Sequence, residues 1–262
     1  MPDVVLNGVR TRWFEAGDAS GRPLLCLHPL GQRGAFHAGL ARALGPGWRV
    51  VAYDQRGHGE AAAHPAEAFE QLVDDAEAAL DRIGGRADVA GFSMGGSVAA
   101  LLAARRAGGV RGLCLVATPL RGTPLFAERA CAAERGSIAA IESETLLRWF
   151  GEGPDEAATR AARTSLRTMT PAGFDAAWRA FASFEGYGAI APHLPPTLCM
   201  AFADDLSTPP PVLDEIADVI RAAGVRCERI DVDGAGHMGP LEKPREVAGA
   251  IARFLGPLGD AT

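Results

Sequence analysis

Residues Gly91-Phe92-Ser93-Met94-Gly95 fit the pattern G-x-S-x-G, and the next residue, Gly96, again lacks a side chain. An apolar strand-like run, Ala87 to Phe92, leads into the pattern, and Val98-Ala99-Ala100 begins a helical one just after it. A serine at so tight a strand-to-helix bend is held in a strained backbone conformation that lifts its hydroxyl above the sheet. The glycines are needed because a Cβ would meet neighbouring backbone. The following helix then aims unpaired N–H groups and the positive end of its dipole at whatever lies over the hydroxyl. That combination suits nucleophilic attack on a carbonyl.

A hydroxyl is a weak nucleophile until a base takes its proton. Six histidines are available. His28 ends an apolar run and His58 lies within Asp54-Gln55-Arg56-Gly57-His58-Gly59; both read as structural residues whose hydrogen bonds hold loops. His37, His64 and His193 read as surface residues. His237 sits in a glycine-rich loop, Gly234-Ala235-Gly236-His237-Met238-Gly239, beyond the last strand-like run, where an imidazole can reach over the sheet edge toward Ser93. The imidazole needs a carboxylate to fix its tautomer and stabilise its charged form. On an elbow of this kind the chain order is serine, acid, histidine. The run Thr197 to Asp204 ends in the pair Asp204-Asp205, whereas Val116-Ala117-Thr118-Pro119-Leu120, after the elbow, offers no acid. Adjacent aspartates face opposite ways, so one of the two orients the histidine. For the oxyanion, one donor is expected from the N–H of Met94 and a second from the loop His28-Pro29-Leu30-Gly31. Pro29 has no N–H, which leaves Leu30, with Gly31 as the alternative.

The elements that must position these residues alternate along the chain. Asn7-Gly8 has the composition of a two-residue hairpin turn inside an opening pair of strands. Buried-strand runs recur at 24–28, 49–54, 87–92, 112–118, 197–204 and 225–232. Between them lie helical patterns such as 66–83, where Phe69, Leu72, Val73, Ala76, Ala79, Leu80 and Ile83 share a face. This alternation predicts an α/β protein: a mostly parallel twisted sheet with helices on both faces. Residues 120–193 break it, being helical throughout, with Pro154 and Pro171 placed for first helical turns. A helical cap inserted after the sixth strand, over the strands' carboxyl ends, is the expected arrangement, with 1–119 and 194–262 forming the core.

Composition narrows the partners. The 262 residues carry a formal net charge of −6, which argues against nucleic acid and anionic membrane, since both need clustered positive charge. Met1 to Arg10 shows no basic segment followed by an apolar core, and no apolar run approaches the roughly 20 residues of a membrane span. A soluble cytoplasmic protein acting on a small molecule is expected, with homo-oligomers left open. Cys26, Cys114, Cys131, Cys199 and Cys227 are scattered without C-x-x-C spacing, so reduced, buried thiols are expected, and neither a metal nor an organic cofactor is implied.

Together these residues resemble the α/β-hydrolase family over almost the whole length. The resemblance is carried by His28 to Gly31, Asp54 to Gly59, Gly91 to Gly96, Asp205 to Pro209 and Gly236-His237. Such proteins commonly show a proline four residues after the acid, and Pro209 therefore selects Asp205 over Asp204. They also commonly show a glycine three residues before it, where this chain has Phe202, and many have His-Gly where this chain has His28-Pro29. A narrower resemblance, to 3-oxoadipate enol-lactonases, lies in Ala132–Glu152 and Arg167–Phe181, in the GFSMGG elbow and in Leu241 to Pro244. It implies a serine hydrolase of an ester or lactone, with catalytic Ser93, Asp205 and His237, and with Arg148 and Trp149 in a pocket for a carboxylate-bearing substrate. The same residues also fit a general carboxylesterase or thioesterase, a carbon–carbon bond hydrolase of ring-cleavage products, a perhydrolase side activity, and a non-enzymatic ligand receptor on this fold.

Overall fold

Asn7 and Gly8, at φ 45° and 80°, turn strand β1 (Asp3–Leu6) back onto β2 (Val9–Gly17), as a two-residue hairpin turn of that composition requires. The structure is a computed structural model that describes residues 2–151 and 155–258. The chain continues through β3 (Arg22–Leu27), α1 (Ala38–Leu44), β4 (Trp48–Tyr53), α2 (Phe69–Arg82), β5 (Ala87–Phe92), α3 (Met94–Arg105) and β6 (Val110–Val116). Four helices follow without a strand among the described residues: α4 (Pro124–Glu128), α5 (Ile138–Phe150), α6 (Glu156–Leu166) and α7 (Pro171–Ala182). Then come β7 (Thr197–Phe202), α8 (Pro210–Ala222), β8 (Cys227–Val232), α9 (Gly239–Glu242) and α10 (Pro244–Leu255).

The eight strands form one sheet in the order β1-β2-β4-β3-β5-β6-β7-β8. β2 runs antiparallel to its neighbours, and the six strands from β4 to β8 run parallel. Parallel strands are covered on both faces, which explains why β5 and β7 are buried at every position and read as continuous apolar runs. Burial of Leu24, Leu25, Leu27, Phe202 and their neighbours stabilises the sheet by about 1.5–3 kcal/mol per side chain. After β3 the chain pairs first to one side, with β4, and later to the other, with β5. The carboxyl ends of β3 and β5 therefore flank the point where strand order reverses, the place where open α/β sheets form their crevice.

Some boundaries differ from those predicted. α2 starts at Phe69 rather than Ala66, because the Gln71 side chain accepts from the N–H groups of Glu67 and Ala68 and closes the helix start there. Pro171 opens α7 as expected, with Thr170 accepting from Gly173 N–H; Pro154 lies outside the described residues. His64 and His193 are exposed, but His37 is fully buried, its ring 5.1 Å from those of both Phe36 and Phe92. That burial comes from tertiary packing, which the local sequence does not announce. Cys26, Cys114, Cys199 and Cys227 are buried free thiols, and Cys131 is half-buried. Among the described residues no helix is long and apolar enough to cross a membrane.

Candidate active site

Ser93 stands between β5 and α3 at φ 52° and ψ −119°, a left-handed conformation that costs a residue with a Cβ on the order of 1–3 kcal/mol. The bend is held by Ser93 N–H donating to Val116 O at 2.8 Å and by close backbone approach on every side. A Cβ on Gly91 would overlap the carbonyl of Gly95, and one on Gly95 would overlap the carbonyl of Leu27. The neighbouring strand β3 and helix α3 can therefore close in only because these positions are glycine.

Ser93 Oγ lies 2.9 Å from His237 Nε2, and His237 Nδ1 lies 2.8 Å from Asp205 Oδ2. Asp205 follows β7 and His237 follows β8, so three loops at one sheet edge supply the three groups. Asp205 is 2% exposed; Asp204 is exposed and turns its backbone N–H to Ala235 O. Burial pushes the Asp205 carboxyl up, but His237 and hydrogen bonds from Thr208 outweigh it and hold the carboxyl below its ordinary value. Ser207 and Thr208 N–H both donate to its Oδ1, at 2.7 and 2.9 Å, so the carboxylate enters the site already oriented. Phe202 is accommodated by Gly239, at which a Cβ would overlap the phenyl ring.

Met94 opens α3 with its side chain fully buried, and Leu30 lines the same crevice as Ser93. Gly31 N–H donates to His58 Nε2 at 3.0 Å and is thereby committed elsewhere. That leaves the N–H of Leu30 as the candidate donor from this loop.

Ser93 and His237 open on a crevice of about 20 Å³, room for a water molecule. Its walls include Leu30, Phe126, Trp149 and Trp178, together with Arg129 and Arg148. The two arginines also line an outer cavity of about 560 Å³, the size of a small-molecule pocket, so they stand between the two spaces. Their guanidinium carbons lie 5.1 and 6.0 Å from the ring centre of Trp178. Burial, helped by the like charge of Arg129, pushes Arg148 down to about 10, and burial lowers Arg129 as well. Neither has a carboxylate ion-pair partner among the described residues. Two partly desolvated cations on one indole ring favour an anion, and Glu144, which also lines the outer cavity, offsets part of their charge. Trp149 is 4% exposed and contributes to the crevice wall with its ring and to His237 with its carbonyl. Among the described residues no group of three or more His, Cys, Asp or Glu side chains is arranged to hold a metal ion.

The sequence pattern of the alpha/beta hydrolase family matches residues 24–250. The chain belongs to that family. This hydrolase is 27% identical over 219 residues to 3-oxoadipate enol-lactonase 1 of Acinetobacter baylyi, which covers 81% of this chain and 80% of the relative. Among solved structures, the enol-lactonase from Burkholderia xenovorans superimposes with a TM-score of 0.88 at 26% identity, covering 97% of this chain and 100% of the other. A malate-bound thermophilic esterase from Thermogutta terrifontis gives a TM-score of 0.88 at 25% identity, covering 98% and 99%.

Arg129 and Thr208 are among the residues at the hydrolase's crevice that the sequence did not single out. Arg129 comes from the end of α4, a helix of five residues too short to betray its face by periodicity. Thr208 Oγ1 lies 2.7 Å from Asp205 Oδ2 and 2.9 Å from Ala117 O. For Thr208 a signal existed: Asp205-Leu206-Ser207-Thr208 is the pattern of an aspartate capping the N–H groups two and three residues on.

Proposed function

We propose that this hydrolase cleaves an ester or lactone of a small carboxylic acid through an acyl-enzyme, with an enol-lactone of the 3-oxoadipate type as the favoured substrate. The observation that carries the reading is the unbroken line from Ser93 Oγ through His237 to Asp205, with contacts of 2.9 and 2.8 Å. Ser93 Oγ attacks the carbonyl carbon while His237 Nε2 takes its proton, and Asp205 holds the Nδ1–H of the imidazolium. The backbone N–H groups of Met94 and Leu30 receive the charge on the tetrahedral oxygen, each such donor being worth on the order of 100- to 1,000-fold in rate. Collapse breaks the bond to the leaving oxygen, which His237 protonates. His237 then takes a proton from water, whose oxygen attacks the acyl carbon, and Ser93 is restored as the acid departs.

Residues 120–193 serve as the cap in this reading, and 1–119 with 194–262 as the core. Arg129, Arg148 and Trp149 line the substrate pocket, the arginine pair receiving a substrate carboxylate. Two relatives of like length are named for enol-lactone hydrolysis, and the Thermogutta esterase was solved with malate, a dicarboxylate. Both facts favour a carboxylate-bearing substrate over a neutral ester.

The test is labelling by a fluorophosphonate followed by a substrate panel of enol-lactones, p-nitrophenyl esters and dienone acids. Ser93 is expected to carry the label, Ser93→Ala to lose it, and the lactone to turn over fastest. A label on another serine would remove the mechanism, and preference for a dienone acid would remove the substrate class.

A further inference from the structure

His28 and His58 are fully buried, outside the Ser93–His237–Asp205 line, and their rings meet edge to face at 4.9 Å between centroids. Each has one hydrogen-bonding pattern open to it. His28 Nδ1 lies 2.9 Å from Pro29 O, which can only accept, and its Nε2 receives Gln55 N–H at 2.9 Å. His58 Nδ1 lies 2.8 Å from Arg56 O, and its Nε2 receives Gly31 N–H at 3.0 Å. Both imidazoles must therefore be neutral, with the proton on Nδ1. Burial, the largest influence on each, pushes His28 down to about 4 and His58 to about 3, so this state holds throughout the neutral range.

The acceptor and donor they engage belong to the two peptide units on either side of Leu30. His28 Nδ1–H, together with Gln32 N–H at 3.1 Å, fixes the carbonyl of the Pro29–Leu30 unit. The described residues contain no cis peptide, so the Leu30 N–H points opposite to that carbonyl and away from His28. His58 fixes the N–H of the next unit, Leu30–Gly31, at a glycine with φ 83°. We propose that His28 and His58 are positioning residues for the oxyanion hole, clamping the two peptide units that flank Leu30 so that its N–H is held toward the reacting carbonyl oxygen. The inference rests on the serine-hydrolase reading above. It assigns the two histidines a part in turnover through Leu30, with no contact to substrate.

The test compares His58→Leu, which removes the acceptor, with His58→Gln, whose amide oxygen can replace Nε2. Three readouts are taken: kcat against KM for one ester, the affinity of a trifluoromethyl ketone that forms a tetrahedral adduct, and thermal unfolding. The leucine variant is expected to lose 10- to 1,000-fold in kcat, the ceiling being loss of one oxyanion donor. Its KM should change less than about threefold, ketone affinity should fall in step with kcat, and His58→Gln should recover most of both. The pair His28→Ala and His28→Asn repeats the comparison at the other peptide unit, the asparagine keeping a donor for Pro29 O, and decides the matter should His58→Leu not fold. Turnover within threefold of the parent in the folded leucine and alanine variants overturns the proposal. So does a loss of kcat that tracks unfolding and is not recovered by glutamine or asparagine. Failure of the underlying reading would look different: no fluorophosphonate label on Ser93 in the parent enzyme.

Discussion

The carbonyl of Trp149, at the end of α5, accepts the backbone N–H of His237 at 2.7 Å. A helix inserted between β6 and β7 thus grips the loop that carries the histidine, and it does so beside Gly236, where a Cβ would stand 2.6 Å from that same carbonyl oxygen. The absence of a side chain at 236 lets the two segments touch, and the touch fixes where the imidazole hangs.

Gly236→Ala should therefore injure turnover more than folding. The added methyl must push the Trp149 carbonyl away, break its bond to His237 N–H, and shift Nε2 off Ser93 Oγ. Misplacement of a catalytic group by about 1 Å costs on the order of 100-fold. A fall of 10- to 100-fold in kcat is expected, with slower fluorophosphonate labelling and a far-ultraviolet dichroism spectrum like the parent's. Unchanged labelling would show that the loop relaxes without cost.

Thr208 makes a second expectation. Its hydroxyl lies within hydrogen-bond distance of Asp205 Oδ2 and of Ala117 O, and its one proton is shared between these two acceptors, at the foot of the loop after β6. Thr208→Val keeps shape but removes the one hydroxyl proton that Asp205 and Ala117 O share, and with it one of the bonds that hold the Asp205 carboxyl low. Stability should drop by about 1–3 kcal/mol, as for a buried polar group losing its partner. kcat/KM should fall about tenfold and Thr208→Ser should restore it; urea titration and steady-state rates measure the two effects.

How much of this was legible beforehand follows from where the information sits. Strands 87–92 and 197–202, buried on both faces, announce themselves as unbroken apolar runs, and the Gly91–Gly96 bend is local chemistry. The same holds for the order of elements, since alternation is a property of the chain. Asp205 against Asp204 is a different matter: the family resemblance, through Pro209, picks one, but the physical reason, two N–H groups and a threonine hydroxyl converging on Asp205, exists only once the loop is folded. His37 reads as a surface residue because its cover, Phe36 and Phe92, comes partly from β5, far along the chain. Arg129 goes unseen because its significance lies in nearness to Arg148 and Trp178, residues 19 and 49 positions away along the chain.

Acid should destabilise this hydrolase earlier than its surface charge suggests. His28, His37 and His58 are all pushed below the ordinary histidine value of 6.5 by burial, to about 4 and about 3 for the first and last. Between the unfolded and folded values the unfolded chain binds more protons, so stability is full above about pH 6.5 and declines as pH falls toward 4. Each histidine contributes a slope of at most about 1.4 kcal/mol per pH unit. Melting temperature should be flat from pH 8 to 7 and fall steeply from 6 to 4.5.

The arginine pair makes the sharpest claim about substrate. If Arg129 and Arg148 receive a carboxylate, Arg129→Met should cost a carboxylate-bearing ester about 1.5–3 kcal/mol of binding, the worth of a hydrogen bond to a charged group, or roughly 10- to 150-fold in kcat/KM. A neutral ester such as p-nitrophenyl acetate has nothing to offer the guanidinium and should be hydrolysed at the parental rate or faster, because Arg148 is relieved of a like charge close by. The quantity to measure is the ratio of kcat/KM for the acidic and neutral ester in parent and variant, which cancels any general loss of active enzyme. An equal loss on both esters would mean that Arg129 packs on Trp178 as a wall and holds no anion.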